Sequence, residues 1–133
     1  MKFNQFTKCL ALIGTMTWAA TVSAQAFDPI AGCTDASFID GGSENIINTS
    51  GASYTPKCLR VRVGAFVTIE ATQHHPLAAM PDIDGALNPF ASESPSVIPI
   101  TQQMNSPGFY GYFCTRHGDE EGDGMAGVIE VVP

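Results

Sequence analysis

Leu59, Val61 and Val63 alternate with Arg60 and Arg62 near the middle of this chain. A period of two sends successive side chains to opposite faces, so the stretch predicts a strand with one buried and one wetted face. Val67 and Ile69 alternate with Thr68 and Glu70 in the same way, and Gly64 between the two runs predicts a tight turn. Similar short runs of β-branched and aromatic residues, divided by Gly, Pro, Asn and Asp, predict strands at 37–40, 44–48, 58–63, 65–72, 97–102, 109–114 and 127–132. Helical periodicity is nearly absent after residue 26. Residues 76–96 hold Pro76, Pro81, Pro89 and Pro95, so this stretch reads as a long connection with a short helical turn near Asp84 to Leu87. Seven short strands with turns at this spacing predict one all-β domain, an antiparallel β-sandwich of about 100 residues.

The first 26 residues follow a different rule. Lys2 and Lys8 precede an uncharged apolar stretch from Cys9 to Val22, and small residues around Ala24 and Ala26 suit cleavage after either. This is the pattern of a secretory signal, too short for a helix that stays in the membrane. The expected division is a signal peptide at 1–26 and a single domain at 27–133. The protein is then exported, and periplasmic if its host is a Gram-negative bacterium. Loss of the signal leaves four basic residues (Lys57, Arg60, Arg62, Arg116) against 13 acidic ones, a net charge of −9. Such a domain repels nucleic acid and anionic lipid and attracts basic partners.

Export changes how the cysteines read. Cys33, Cys58 and Cys114 remain, an odd number for an oxidising compartment. Cys33 and Cys58 flank a turn-rich loop and form the natural pair, leaving Cys114 free. Cys114 ends the run Phe109-Tyr-Gly-Tyr-Phe113, where a period of two groups Tyr110, Tyr112 and Cys114 on one face and Phe109, Gly111 and Phe113 on the other. His117 follows in the next loop, Met125 opens the next strand, and His74-His75 offers a second imidazole from upstream. A thiolate and two imidazoles with a weak, distant thioether form the ligand set of an electron-transfer copper site. Zinc would want further Cys or His ligands, and with Cys33 and Cys58 bridged they are lacking. The letters G-x-G-x-x-G at 122–127 neither follow a strand nor open a helix, so they do not make a dinucleotide site.

Residues 54–69 (YTPKCLRVRVGAFVTI), 75–77 (HPL), 108–117 (GFYGYFCTRH) and 124–129 (GMAGVI) together resemble the cupredoxins, the blue copper proteins of plastocyanin and azurin type. The resemblance spans roughly residues 30–133. It implies a Greek-key β-sandwich with one type 1 copper ion at one end, carrying single electrons between redox partners, with no enzymatic activity. It also implies His75, Cys114 and His117 as strong ligands and Met125 as the axial one, with His74 the alternative to His75. Two positions depart from the usual pattern. Seven residues, Gly-Asp-Glu-Glu-Gly-Asp-Gly, separate His117 from Met125, more than relatives usually have. Pro76 stands after His75, where relatives often place an Asn that ties the two ligand loops together.

The acidic run Asp119, Glu120, Glu121 and Asp123 lies between two expected ligands. A basic cytochrome docking near His117 and this loop is the expected kind of partner, with Leu77, Ala78, Ala79, Pro81 and Ala126 as an apolar contact patch. The alternative function is copper storage or delivery, a role that favours open, metal-exchanging sites. Oxidases and nitrite reductases on this fold need further copper centres, and only His74 would remain to build one.

Overall fold

A computed structural model describes residues 29–83 and 86–133. The signal segment expected at 1–26 and its cleavage point lie outside the described residues, as does half of the helical turn expected at 84–87. Leu87 itself is in no helix. No helix among the described residues is long and apolar enough to cross a membrane.

The described residues form nine strands: β1 (Ile39–Asp40), β2 (Glu44–Thr49), β3 (Tyr54–Thr55), β4 (Cys58–Arg62), β5 (Phe66–Ile69), β6 (Leu77–Ala79), β7 (Ile100–Gln103), β8 (Gly108–Gly118) and β9 (Gly124–Val132). They build two sheets, one ordered β1-β4-β9-β8-β6 and one ordered β3-β2-β5-β7. The expected β-sandwich is present, but its pairing is mixed. β1 with β4, β4 with β9, and β2 with β5 run parallel. Alternation of polarity along one strand is blind to this, because it reports faces and not the direction of a neighbour.

The alternating stretches behave as expected at their centres. Leu59 and Val61 are buried, as are Val67 and Ile69. Val63 is not; it is 42% exposed because β4 ends at Arg62 and the chain turns at Gly64, whose φ is +93°. The strand expected at 37–40 is formed only at Ile39 and Asp40 (β1), because Ser37 closes a 3-10 turn (Asp35–Ser37). The strand expected from Val97 begins only at Ile100, beyond Pro99, and leaves Val97 and Ile98 exposed; proline has no N–H to give a ladder.

The main core lies between the sheets and holds Ile47, Tyr54, Leu59, Val61, Val67, Ile69, Leu77, Tyr112, Cys114, Met125 and Ile129 among others. A second, smaller cluster covers the outer face of the five-stranded sheet, where the Cys33–Cys58 disulfide packs with Met80, Ala126 and Val128. The expected faces of β8 divide between the two. Tyr110, Tyr112 and Cys114 enter the main core, while Phe109 and Phe113 lean on the disulfide cluster. Buried Asn88 fastens the long connection to this sheet by donating to the carbonyls of Gly111 (2.8 Å) and Met80 (3.4 Å).

Candidate metal centre

Two segments deliver the donor atoms. The first is a turn closed by Thr72 and His75, whose backbones exchange hydrogen bonds of 3.1 and 3.2 Å. The Thr72 hydroxyl also accepts from the N–H groups of His74 (3.2 Å) and His75 (3.1 Å), so this side chain caps the turn alongside its backbone pair. The chain then enters β6, where Leu77 pairs with Cys114 of β8. The Thr115 N–H donates to the Pro76 carbonyl at 3.0 Å. Pro76 therefore ties the ligand segments through its backbone oxygen, a bond that needs no side chain and that proline retains.

The second segment is a hairpin. β8 continues past Cys114 through His117 to Gly118, so His117 belongs to a strand and not to the loop expected for it. The register breaks between Phe113, which pairs with Ala126, and Gly118, which pairs with Gly124. Across that interval the four residues 114–117 of β8 stand opposite Met125 alone. A bulge of this kind bends a strand and re-aims its side chains. It lets Cys114 and His117, three positions apart, turn toward one point.

The long spacing between His117 and Met125 is taken up by the hairpin's tip. Gly122 donates to the Asp119 carbonyl at 3.2 Å, and Asp123 donates to the Asp119 side chain at 2.9 Å. The pair closing the tip has to be glycine. A Cβ on Gly118 would lie 2.5 Å from the Met125 carbonyl oxygen, and Gly124 has φ +70° with its Cβ direction blocked by the His117 carbonyl. Both contacts are to backbone, which cannot step aside.

The result is a compact group. The donor atoms of His75, Cys114 and His117 all lie within 4.8 Å of one another. Cys114 Sγ is 3.6 Å from His117 Nδ1 and 3.9 Å from His75 Nδ1, and the two imidazole centroids are 5.0 Å apart. A metal bonded at ~2.3 Å to sulfur and ~2.0 Å to nitrogen, with angles between tetrahedral and trigonal, sets S···N separations of about 3.5–3.7 Å. The three residues thus fit an ion with little movement. Cys114 is fully buried, His75 half-buried and His117 exposed. Met125 is buried in the same core cluster as Cys114. His74 is exposed and stands outside the group.

The expected apolar patch is smaller than the sequence implied. Leu77 and Ala126 are each 1% exposed and belong to the interior. Ala78, Ala79 and Pro81 do reach the surface, where with Asp82, Ala91 and Glu120 they line a recess of about 490 Å³. The Thr72 hydroxyl and the Thr115 to Pro76 bond hold the site without any sequence signal of their own. A Thr placed three residues before a candidate ligand is the one hint that could have been taken.

No protein-family profile matches the chain, and no curated protein matches it. Solved structures do. A pseudoazurin from Sinorhizobium meliloti superposes with a TM-score of 0.53 at 25% identity, covering 71% of this chain and 76% of that one. A pseudoazurin from Methylobacterium extorquens gives 0.50 at 16% identity, covering 66% and 74%. The chain has the cupredoxin fold. A copper-containing nitrite reductase from Thermus scotoductus gives 0.54 at 17% identity, but this chain spans only 28% of that protein. The cupredoxin sandwich is therefore shared with a domain-sized part of a larger enzyme.

Proposed function

We propose that the chain is an exported carrier of single electrons, with one type 1 copper ion held by His75, Cys114 and His117 and with Met125 as a weak axial ligand. The observation that carries this is the one buried thiolate source set 3.6 and 3.9 Å from two imidazole nitrogens, in a protein whose other described cysteines are bridged. The pseudoazurin likeness supports it. Copper, when bound, supplies the Cu(II)/Cu(I) couple, so one electron enters from a reduced partner and leaves to an oxidised one with no bond made or broken. The chain's task is to hold the ligands still in both states. Cys114 and Met125 do so from the packed core, His75 from its Thr72-capped turn, and His117 from the closed hairpin.

The exposed edge of His117 is the natural contact for a redox partner. Beside it, the acidic tip and the recess lined by Ala78, Ala79, Pro81, Asp82 and Glu120 suit a basic protein such as a cytochrome, held weakly and exchanged fast. An enzymatic role has less support, because only His74 remains for a further copper centre. Residues 1–26 act as the export signal and 27–133 as the working domain, periplasmic in a Gram-negative host.

The test is the visible and electron-paramagnetic-resonance spectrum of the copper-loaded protein. An intense thiolate-to-copper band near ~600 nm is expected for such a site. His75→Ala should abolish it and His74→Ala should keep it. A colourless protein that prefers Cu(I) would instead mark copper delivery or storage. Docking at the acidic tip is tested by electron exchange with a basic cytochrome at rising salt. Neutralising Asp119, Glu120, Glu121 and Asp123 should flatten the salt dependence, and an unchanged slope would remove the tip from the interface.

A further inference from the structure

The acidic tip of the ligand hairpin rests on something. Glu120, Glu121 and Asp123 are exposed, but Gly122 among them is buried. Ala31 covers it, from the other end of the described chain. A Cβ on Gly122 would lie 2.8 Å from the Ala31 nitrogen and 3.1 Å from its Cα. Only a residue without a side chain lets two backbones approach so closely.

Ala31 holds an unusual conformation. The Cys33 N–H donates to the Ile30 carbonyl at 2.8 Å, closing a turn whose central residues Ala31 and Gly32 have φ of +54° and +71°. Positive φ at both central positions marks the mirror-image turn that favours Asn and Gly and is uncommon for alanine. Such a backbone persists where its surroundings over-determine it. Here the Ala31 methyl is buried in the outer cluster with Cys33, Cys58, Ala126 and Val128, and the disulfide ties the end of the turn to β4.

The hairpin has few other supports near its ligand. The pairing of β6 with β8 ends at Cys114, and the pairing of β8 with β9 is broken between Phe113 and Gly118. His117 lies in that gap. The stretch is held at one side by the Thr115 N–H on the Pro76 carbonyl and at its tip by Ala31. Resting on the copper reading, we propose that the turn from Ile30 to Cys33 is the seat of the ligand hairpin, and that Ala31 is a positioning residue that keeps His117 on the metal. Cys114 and Met125 are buried and His117 is exposed, so release of copper to solvent begins at His117. A hairpin pinned at its tip lets that imidazole swing less.

Ala31→Gly relieves the positive φ, removes the buried methyl and changes no atom of the hairpin. In the metal-free protein, hydrogen exchange at the amides of Gly122 and Asp123, which donate to Asp119, should quicken. In the copper-loaded protein, transfer of copper to excess EDTA should be roughly threefold faster. Gly122→Ala drives a methyl into the Ala31 backbone and should speed that transfer about tenfold. Gly64→Ala is its control, with φ +93° at Gly64 against +94° at Gly122, but with nothing within 4 Å of its Cβ. It carries the same backbone strain and should release copper at the wild-type rate. The thiolate band should keep its position in all three variants, because Cys114 is held from the core. Wild-type tip exchange in Ala31→Gly would overturn the proposal, as would equal copper loss from Gly122→Ala and Gly64→Ala. If wild type itself shows no thiolate band, the copper reading falls and this role with it. A wild-type band with unchanged copper loss from Ala31→Gly sinks this role alone.

Discussion

The five-stranded sheet carries cysteines on both faces and treats them in opposite ways. On the outer face Cys33 and Cys58 are joined, 25 residues apart, and packed under Met80, Ala126 and Val128. On the inner face Cys114 is fully buried and unpaired, beside two imidazoles. The first pair removes freedom from the unfolded chain and needs no other chemistry. The second thiol adds nothing that a small hydrophobe could not, unless it binds something. One sheet thus separates a staple from a reactive centre by the thickness of a strand. β8 serves both, because its alternate residues face the two clusters.

The strongest way to break this contrast is Cys114→Ser. Oxygen replaces sulfur with little change of volume, so the sandwich should fold with its disulfide intact. The thiolate band of the copper-loaded protein should vanish completely. A retained band would mean that the chromophore belongs to another site.

The converse change is Cys33→Ala with Cys58→Ala. Removing a bridge over a loop of this length should cost about 3 kcal/mol, read from denaturant unfolding. The copper band of the still-folded fraction should not move. A spectral change would show that the outer cluster supports the ligand strand and does not merely staple the chain.

Those two experiments rest on features that were legible in the sequence. Parity of the three cysteines beyond the expected signal singled out Cys114, and residue type and spacing grouped it with His117, Met125 and the His74-His75 pair, while the choice of His75 came from the cupredoxin resemblance. The centres of β4 and β5 were legible because alternating runs have one face to bury, and those of β8 and β9 because aromatic and β-branched residues are dense in strands covered on both faces. β3 and β6 were not. They are two and three residues long, flanked by prolines, and exist because β2 and β8 lie ready to pair with them. The bulge at 114–117 was hidden for a related reason. A register shift is a property of two strands, and β8 alone reads as a strand that stops at Cys114.

The bulge can be tested through the hairpin that closes it. Gly124→Ala forces a side chain into positive φ and against the His117 carbonyl, at a cost of about 1–3 kcal/mol. The strain falls on the residue that follows His117 in space and precedes Met125 in sequence. Copper should dissociate faster from this variant, while the disulfide side keeps its protection in hydrogen exchange. Equal loss of protection on both faces would mean that the hairpin is part of the general fold and not a local clamp.

The smallest effect concerns the other ligand segment. The Glu70 carboxylate accepts the Thr49 N–H at 2.6 Å and the Thr49 hydroxyl at 2.9 Å, which holds its pKa below the ordinary value. A depressed folded pKa stabilises the protein above the unfolded carboxylate value of about 4.3, and that contribution is lost as pH falls through the folded value. Glu70 ends the segment that leads from β5 into the His75 turn, so its bond to Thr49 anchors the base of that turn. Glu70→Gln should lower stability at neutral pH, where the carboxylate's contribution is present, and flatten the acid limb below about 4.3, so that the two proteins converge in acid. The Cys33–Cys58 face should not register the substitution. If the acid limb is the same in both proteins, the Thr49 contact does not anchor the ligand segment, and the asymmetry between the two faces rests on Cys114 and the hairpin alone.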